Sequence, residues 1–308
     1  MGEDELKMIV DGEFQENHFN KLKILTLCFL TESGVFLEFL QLVPNVENLI
    51  VYGGSLKEIF CSQSSNNVDY SGLPLQLKGL LFESLGELIS IGFENSWTEP
   101  FVRNLETFEV ISCSSLKNLV ASKVFLSNLT YLKIESCDNL SYLFTSSTAK
   151  SLRELKEMVI KRCKSIEEIV SKEGEEWCED KEIIFEKLQV LYLKSLDELR
   201  CFYPGNFTLS FPSLERVHVI NCSSMKTFSA FNEIDHSTQW YNAEYAIPLE
   251  ETDLNSAVHR THEEEVIPPE EGDLNTGVQR TLEEEVRILL RLNHCSIEND
   301  RIRSIWAC

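Results

Sequence analysis

Residues 129–143, LTYLKIESCDNLSYL, place Leu129, Leu132, Ile134, Cys137, Leu140 and Leu143 at successive intervals of three, two, three, three and three. Neither a helix of ~3.6 residues per turn nor a strand of period two gives that spacing along its whole length. A short strand flanked by turns does, provided the turns bring each later apolar side chain back to the inner side. The frame recurs from Leu22, Val46, Leu77, Leu105, Leu129, Leu155, Leu188 and Leu214, giving eight units spaced 24, 31, 28, 24, 26, 33 and 26 residues apart.

A unit of this size cannot cover its own apolar side, so it is stable only when stacked on its neighbours, one strand spacing of ~4.8 Å apart. The pattern L-x-x-L-x-(I/V/L)-x-x-C-x-x-L is that of the leucine-rich repeat. The expected fold class is therefore α/β: a curved leucine-rich-repeat solenoid with parallel strands on its concave face and irregular or short helical segments on its convex side. An acidic, largely disordered tail is expected to follow. The domains are read as residues 1–231, the solenoid; 232–286, an acidic linker; and 287–308, a short segment continuing an amphipathic helix from about 281. The two longest unit spacings place insertions on the convex side or rim, at 61–67 and 172–176, where the composition suits mobile loops.

Four of the ten cysteines, Cys113, Cys137, Cys163 and Cys222, occupy the ninth position of a unit. Three readings compete for them. Neighbouring coils could bring thiols within disulfide distance, but a cytosolic chain is reduced. Zinc is disfavoured because the cysteines come one per coil with no paired C-x-x-C. The remaining reading, buried structural thiols that bond the turning backbone of a neighbouring coil, suits the position best.

Fifty acidic residues against 28 basic ones give a formal charge of -22, which repels phosphate and argues against nucleic acid or an anionic membrane as partner. Runs such as Leu25 to Leu30 are far short of the roughly 20 apolar residues that span a bilayer. The acidic start at Met1 to Glu5 has no signal-peptide core. A cytoplasmic protein is expected, with the nucleus possible. The charge is uneven: -13 over residues 1–243, -11 over 244–286 and +2 over 287–308. Within the tail, residues 247–266 and 267–286 agree at 14 of 20 positions, a tandem duplication that is acidic and starts each copy with Ile-Pro.

Residues 129–152, LTYLKIESCDNLSYLFTSSTAKSL, run on to Cys163-Lys-Ser-Ile166-Glu-Glu-Ile169-Val170 and, further on, to Phe185-Glu-Lys-Leu188 and Phe211-Pro-Ser-Leu214. This stretch closely resembles the C-terminal repeats of plant coiled-coil nucleotide-binding leucine-rich-repeat immune receptors, the disease-resistance proteins. The resemblance covers roughly residues 12–231, with fragments such as Gly272-Asp-Leu-Asn-Thr276 in the tail. It implies a protein-recognition module of plant innate immunity whose partner is a pathogen effector, a guarded host protein or the receptor's own nucleotide-binding domain. One departure matters. The chain contains no G-x-x-x-x-G-K-(S/T) loop, so nucleotide binding is not carried over and no cofactor is expected. A substrate adaptor of a ubiquitin ligase or another stand-alone scaffold is the alternative, but residues 1–21 are too short for the F-box-like helical segment that an adaptor needs.

An enzyme would need a nucleophile, an acid–base pair or a metal, and no convincing set exists. His259, His262 and Glu263 stand together, yet the second copy of the duplication replaces the histidines with Gln279 and Leu282. Binding is the better expectation, and strand alternation says which side chains are available for it. The central file of the concave face reads Thr26, Ile50, Leu81, Glu109, Lys133, Val159, Tyr192 and His218. The next file reads Cys28, Tyr52, Glu83, Ile111, Glu135, Lys161, Lys194 and Ile220. Glu83, Glu109 and Glu135 precede Lys161 and Lys194 along the stack, which predicts a protein partner with the opposite charge order.

Overall fold

The computed structural model describes residues 19–31, 33–60, 76–93, 98–120, 124–172, 182–225 and 227–228, together with the backbone of 239–241 and 248–249. All of them belong to the first of two units, Met1–Glu265 and Val266–Cys308. The expected loop at 61–67, all but Lys172 of the one at 172–176, and the expected helix from about 281 lie outside the described residues.

In chain order the strands are β1 (Ile24–Leu30), β2 (Asn48–Gly54), β3 (Gly79–Glu83), β4 (Thr107–Ile111), β5 (Tyr131–Glu135), β6 (Phe144–Thr145), β7 (Glu157–Lys161), β8 (Val170–Ser171), β9 (Glu182–Ile184), β10 (Val190–Lys194), β11 (Thr208–Ser210), β12 (Arg216–Ile220), β13 (Gln239–Tyr241) and β14 (Pro248–Leu249). The repeat strands β1, β2, β3, β4, β5, β7, β10 and β12 stand in that order in one sheet, each parallel to the next. The described residues form an α/β leucine-rich-repeat solenoid. On the return side of the coils are the short helices Ser33–Gln41, Glu99–Asn104 and Ser146–Ala149 and two two-stranded parallel sheets, β6 with β8 and β9 with β11.

Burial follows the frame. Leu129, Leu132, Ile134, Cys137, Leu140 and Leu143 are all fully buried, as are Leu155, Met158, Ile160, Cys163, Ile166 and Ile169 in the next coil. Each such aliphatic side chain contributes roughly 1.5–3 kcal/mol by leaving water, and in a solenoid that burial needs the coil on either side. Aromatic rings fill the wider part of the last coils, where Phe185 stacks on Phe211 at 5.2 Å and Phe202 on Phe228 at 5.0 Å.

Backbone hydrogen bonds join the coils at fixed steps of the frame. At the second and third positions, two N–H groups converge on one carbonyl of the preceding coil, as where Thr130 and Tyr131 donate to the Glu106 oxygen. At the eighth position the residue is left-handed in all eight units: Phe29, Gly53, Ser84, Ser112, Ser136, Arg162, Ser195 and Asn221 have φ between 52° and 66°. Such a conformation costs an ordinary residue about 1–2 kcal/mol. The bond made there offsets it, since the N–H of Ser84, Ser112, Ser136, Arg162 and Ser195 each donates to a carbonyl of the following coil at 2.8–3.0 Å.

Position nine behaves as expected. Cys113, Cys137, Cys163 and Cys222 are free and buried. Cys137 Sγ donates to the Val110 oxygen of the preceding coil at 3.7 Å, and Cys163 Sγ accepts from the Cys137 N–H at 3.4 Å. Burial pushes the Cys113 thiol up to about 12 and the Cys222 thiol up to about 11, so neither ionises at neutral pH.

The sheet continues past the eighth unit. β13 pairs in parallel with β12, and β14 pairs antiparallel with β13, which carries strand pairing into the stretch read from sequence as linker. Without β13 the N–H and C=O groups along one side of β12 would form an open edge. The residues of 239–249 lack the leucine spacing, so the frame gives no sign of them.

Candidate protein-binding face

The outward side chains of the sheet form columns set by strand register. Thr26 pairs with Ile50, Ile50 with Leu81, Leu81 with Glu109, Glu109 with Lys133, Lys133 with Val159, Val159 with Tyr192 and Tyr192 with His218. The column at position seven is likewise continuous, through Tyr52, Glu83, Ile111, Glu135, Lys161 and Lys194. The two files read from sequence are therefore brought together on one face, side by side.

Their exposure is uneven. Ile50, Leu81, Glu83, Glu109, Ile111, Glu135, Lys161, Tyr192, Lys194 and His218 are half-buried, and Tyr52 is exposed. Lys133 and Val159 are only 3% and 7% exposed and offer a partner almost no surface. Flanking columns enclose them, because a sheet face crowds long side chains at its middle. The ammonium of Lys133 lies 3.3 Å from Glu135 Oε2, and Arg162 bonds the other oxygen of the same carboxylate.

This arrangement sets the protonation of the centre. Burial would raise the Glu135 carboxyl, but Lys133, Arg162 and Lys161 outweigh it and hold the group below its ordinary range. Glu109 is raised instead: burial dominates, Glu83 and Glu135 add to it, and Lys133 only partly opposes them. Two neighbouring carboxylates thus differ because one has three cations close to it and the other has one. Lys161 is lowered by burial and by the cations Lys133, Arg162 and Lys194, against the pull of Glu135, while its ammonium lies 4.9 Å from the centroid of the Tyr192 ring. Tyr192 in turn lies 5.3 Å from the His218 ring, and burial followed by Arg216 lowers His218.

Two further columns belong to the face. Position three also points outward and carries Ile24, Asn48, Gly79, Thr107, Tyr131, Glu157, Val190 and Arg216. One more step of strand alternation would have found it. Position eight borders the face, and there a left-handed backbone presents Phe29, 65% exposed, and Arg162. Phe29 meets Tyr52 edge to face with ring centroids 5.9 Å apart. Nothing in an apolar frame signals a left-handed residue, so Phe29 and Arg162 could not be read from the spacing.

A family model described as "Plant disease resistance protein RPS2-like, leucine-rich repeats" matches residues 1–125 and 120–232. The chain belongs to this family. An Arabidopsis thaliana protein named "Putative disease resistance protein At4g10780" is 28% identical over 172 residues, or 56% of this chain and 16% of the relative. The chain thus corresponds to a small part of that protein's length. In this RPS2-like repeat region, no helix among the described residues is long and apolar enough to cross a membrane. No group of three or more His, Cys, Asp or Glu placed to hold a metal occurs among them either.

Proposed function

We propose that this RPS2-like repeat region is a protein-recognition module of plant innate immunity, and that the outward face of its sheet is the recognition surface. It senses a pathogen effector, or a host protein that effectors alter, and helps hold the receptor inactive when neither signal is present. The observation that carries this reading is the Phe29–Tyr52 pair. An aromatic ring 65% exposed in a left-handed position contributes little to the fold, whereas aromatic anchors of this kind dominate protein interfaces. Thr26, Ile50 and Leu81 continue the patch without a charge. The partner is complementary in order: apolar against β1 to β3, basic against Glu83 and Glu109, acidic against Lys161 and Lys194.

The burial of Lys133 against Glu135 decides how to test this. Reversing Glu135 would disturb an internal ion pair, so the informative substitutions are at accessible sites. Proteins co-purifying from plant leaf tissue with the intact chain would be compared with those held by F29S/Y52S and by K161E/K194E, each variant first shown to melt like the original. Loss of a specific partner from both variants is expected. Retention of every partner by both would remove this face from consideration.

A further inference from the structure

The outward charged residues of β7, β10 and β12 are Lys161, Lys194 and Arg216 against Glu157 alone, a cationic end to the sheet in a chain whose net charge is -22. Lys161 and Lys194 are register partners in one column, and Arg216 stands in the position-three column of the next strand. Among the described residues, the ion pairs of these coils are Arg162 with Glu135, Lys164 with Asp138, Lys187 with Glu154, Arg153 with Glu186 and Arg200 with Glu167. None of them uses Lys161, Lys194 or Arg216. Lys161 and Lys194, side by side in one column, repel one another, and an anionic occupant would relieve the repulsion.

A strongly anionic segment lies in the same chain, and the sheet leads to it. Arg216 pairs with Gln239 and His218 with Tyr241, after which β14 returns antiparallel with Leu249 opposite Trp240. Strand β14 ends at Leu249, and the acidic run begins with the next residue in the sequence. Residues 250–265 carry Glu250, Glu251, Asp253, Glu263, Glu264 and Glu265 against Arg260 alone, a charge of -5. Sixteen residues can extend over roughly 50 Å, and β14 stands only about 10 Å, two strand spacings, from β12. Reach is no obstacle.

We propose that residues 250–265 are an intramolecular ligand of the cationic end of the outward face, their carboxylates facing Arg216, Lys194 and Lys161. An acidic partner must then displace the protein's own segment before it can bind there. This rests on reading the face as a recognition surface, but its test does not use the partner.

The probe is a fluorescent synthetic peptide of residues 247–266. It is titrated, with anisotropy as the readout, into the full-length chain and into full-length variants that carry amides in place of the acids of the first copy, the second copy or both. The first-copy variant is expected to bind the peptide about 10-fold tighter than the original chain, because a tethered competitor acts at high effective concentration. That binding should weaken as salt rises from about 50 to 500 mM. Adding K161E/K194E to the first-copy variant should abolish it, and K194Q/R216Q, a milder change, should weaken it if the first pair does not fold. Equal affinity for the original and first-copy chains, no binding by any form, or binding indifferent to both lysine variants would overturn the proposal. An equal gain from the second-copy variant would overturn the assignment to 250–265. Any of these results leaves the F29S/Y52S comparison standing, and failure of that comparison leaves the peptide result interpretable.

Discussion

The first three repeat strands and the last three use the same backbone to present opposite chemistry. Over β1 to β3 the outward columns hold Ile24, Thr26, Ile50, Tyr52 and Leu81 beside the exposed Phe29, and the first charge is Glu83. Over β7, β10 and β12 they hold Lys161, Lys194 and Arg216, against the single acid Glu157, around the Tyr192 and His218 rings. Between them the buried Lys133 ties β5 together through Glu135. A parallel solenoid permits this separation because its core columns are fixed by the frame, while the outward columns answer only to their neighbours on adjacent coils. An apolar end and a cationic end can therefore be chosen independently, joined by a neutralised middle.

The largest expected effect tests whether that middle is structural. K133A would leave Glu135 with two cations, Arg162 and Lys161, and Glu109 with none beside it, a loss of about 3 kcal/mol in urea unfolding. L81A, in the same column but at the apolar end, should cost about 1 kcal/mol or less. Equal losses would mean that Lys133 is no more than an outward side chain like the others.

Next in size is the left-handed column, which runs through both ends alike. S136V should cost about 2 kcal/mol, because a β-branched residue resists positive φ, whereas S136G should fall within about 0.5 kcal/mol of the original. At the apolar end, G53V should be worse than S136V, since a Cβ on Gly53 would also sit 3.0 Å from the Phe29 ring. Indifference at Ser136 would detach the conformation from the fold.

F29S should change the melting temperature hardly at all, by about 0.5 kcal/mol or less in stability. A larger loss would make Phe29 a structural residue and weaken its reading as a contact.

The smallest effects lie in the pH dependence of the two carboxylates. Glu109 has a folded pKa above its unfolded value, so its contribution is present at acid pH and lost as pH rises through the folded pKa. E109Q should therefore raise the melting temperature at pH 7 by about 1 °C, with the advantage fading below about pH 4. Glu135 has the opposite sign. Its folded pKa is depressed, so its contribution is present above the unfolded pKa and lost as pH falls through the folded one. E135Q should cost stability at pH 7 and cost less in acid.

Much of this was legible in the spacing of apolar residues. Where a side chain's fate depends on which way its strand position faces, as with Leu132 inward and Tyr192 outward, alternation decides it, and the register of both central columns followed. The cysteines could be placed because position nine returns inward in every coil. Other features depend on information that the frame does not contain. The burial of Lys133 follows from what stands beside it on two adjacent coils, so alternation alone puts it on the surface. Phe29 and Arg162 owe their placement to a backbone conformation that has no apolar signature. β13 joins through hydrogen bonds to an edge, which any non-proline residue can supply.

The left-handed column also bears on how such a protein changes length. Five successive coils, those of Ser84, Ser112, Ser136, Arg162 and Ser195, each end by offering one N–H to the next at the same step of the frame, so they present interchangeable joining edges. Unequal crossing-over between in-phase units would splice in or remove a whole coil without stranding a backbone donor. The face would grow or shrink by one strand spacing of ~4.8 Å, gaining or losing a single row of side chains while every other row kept its neighbours.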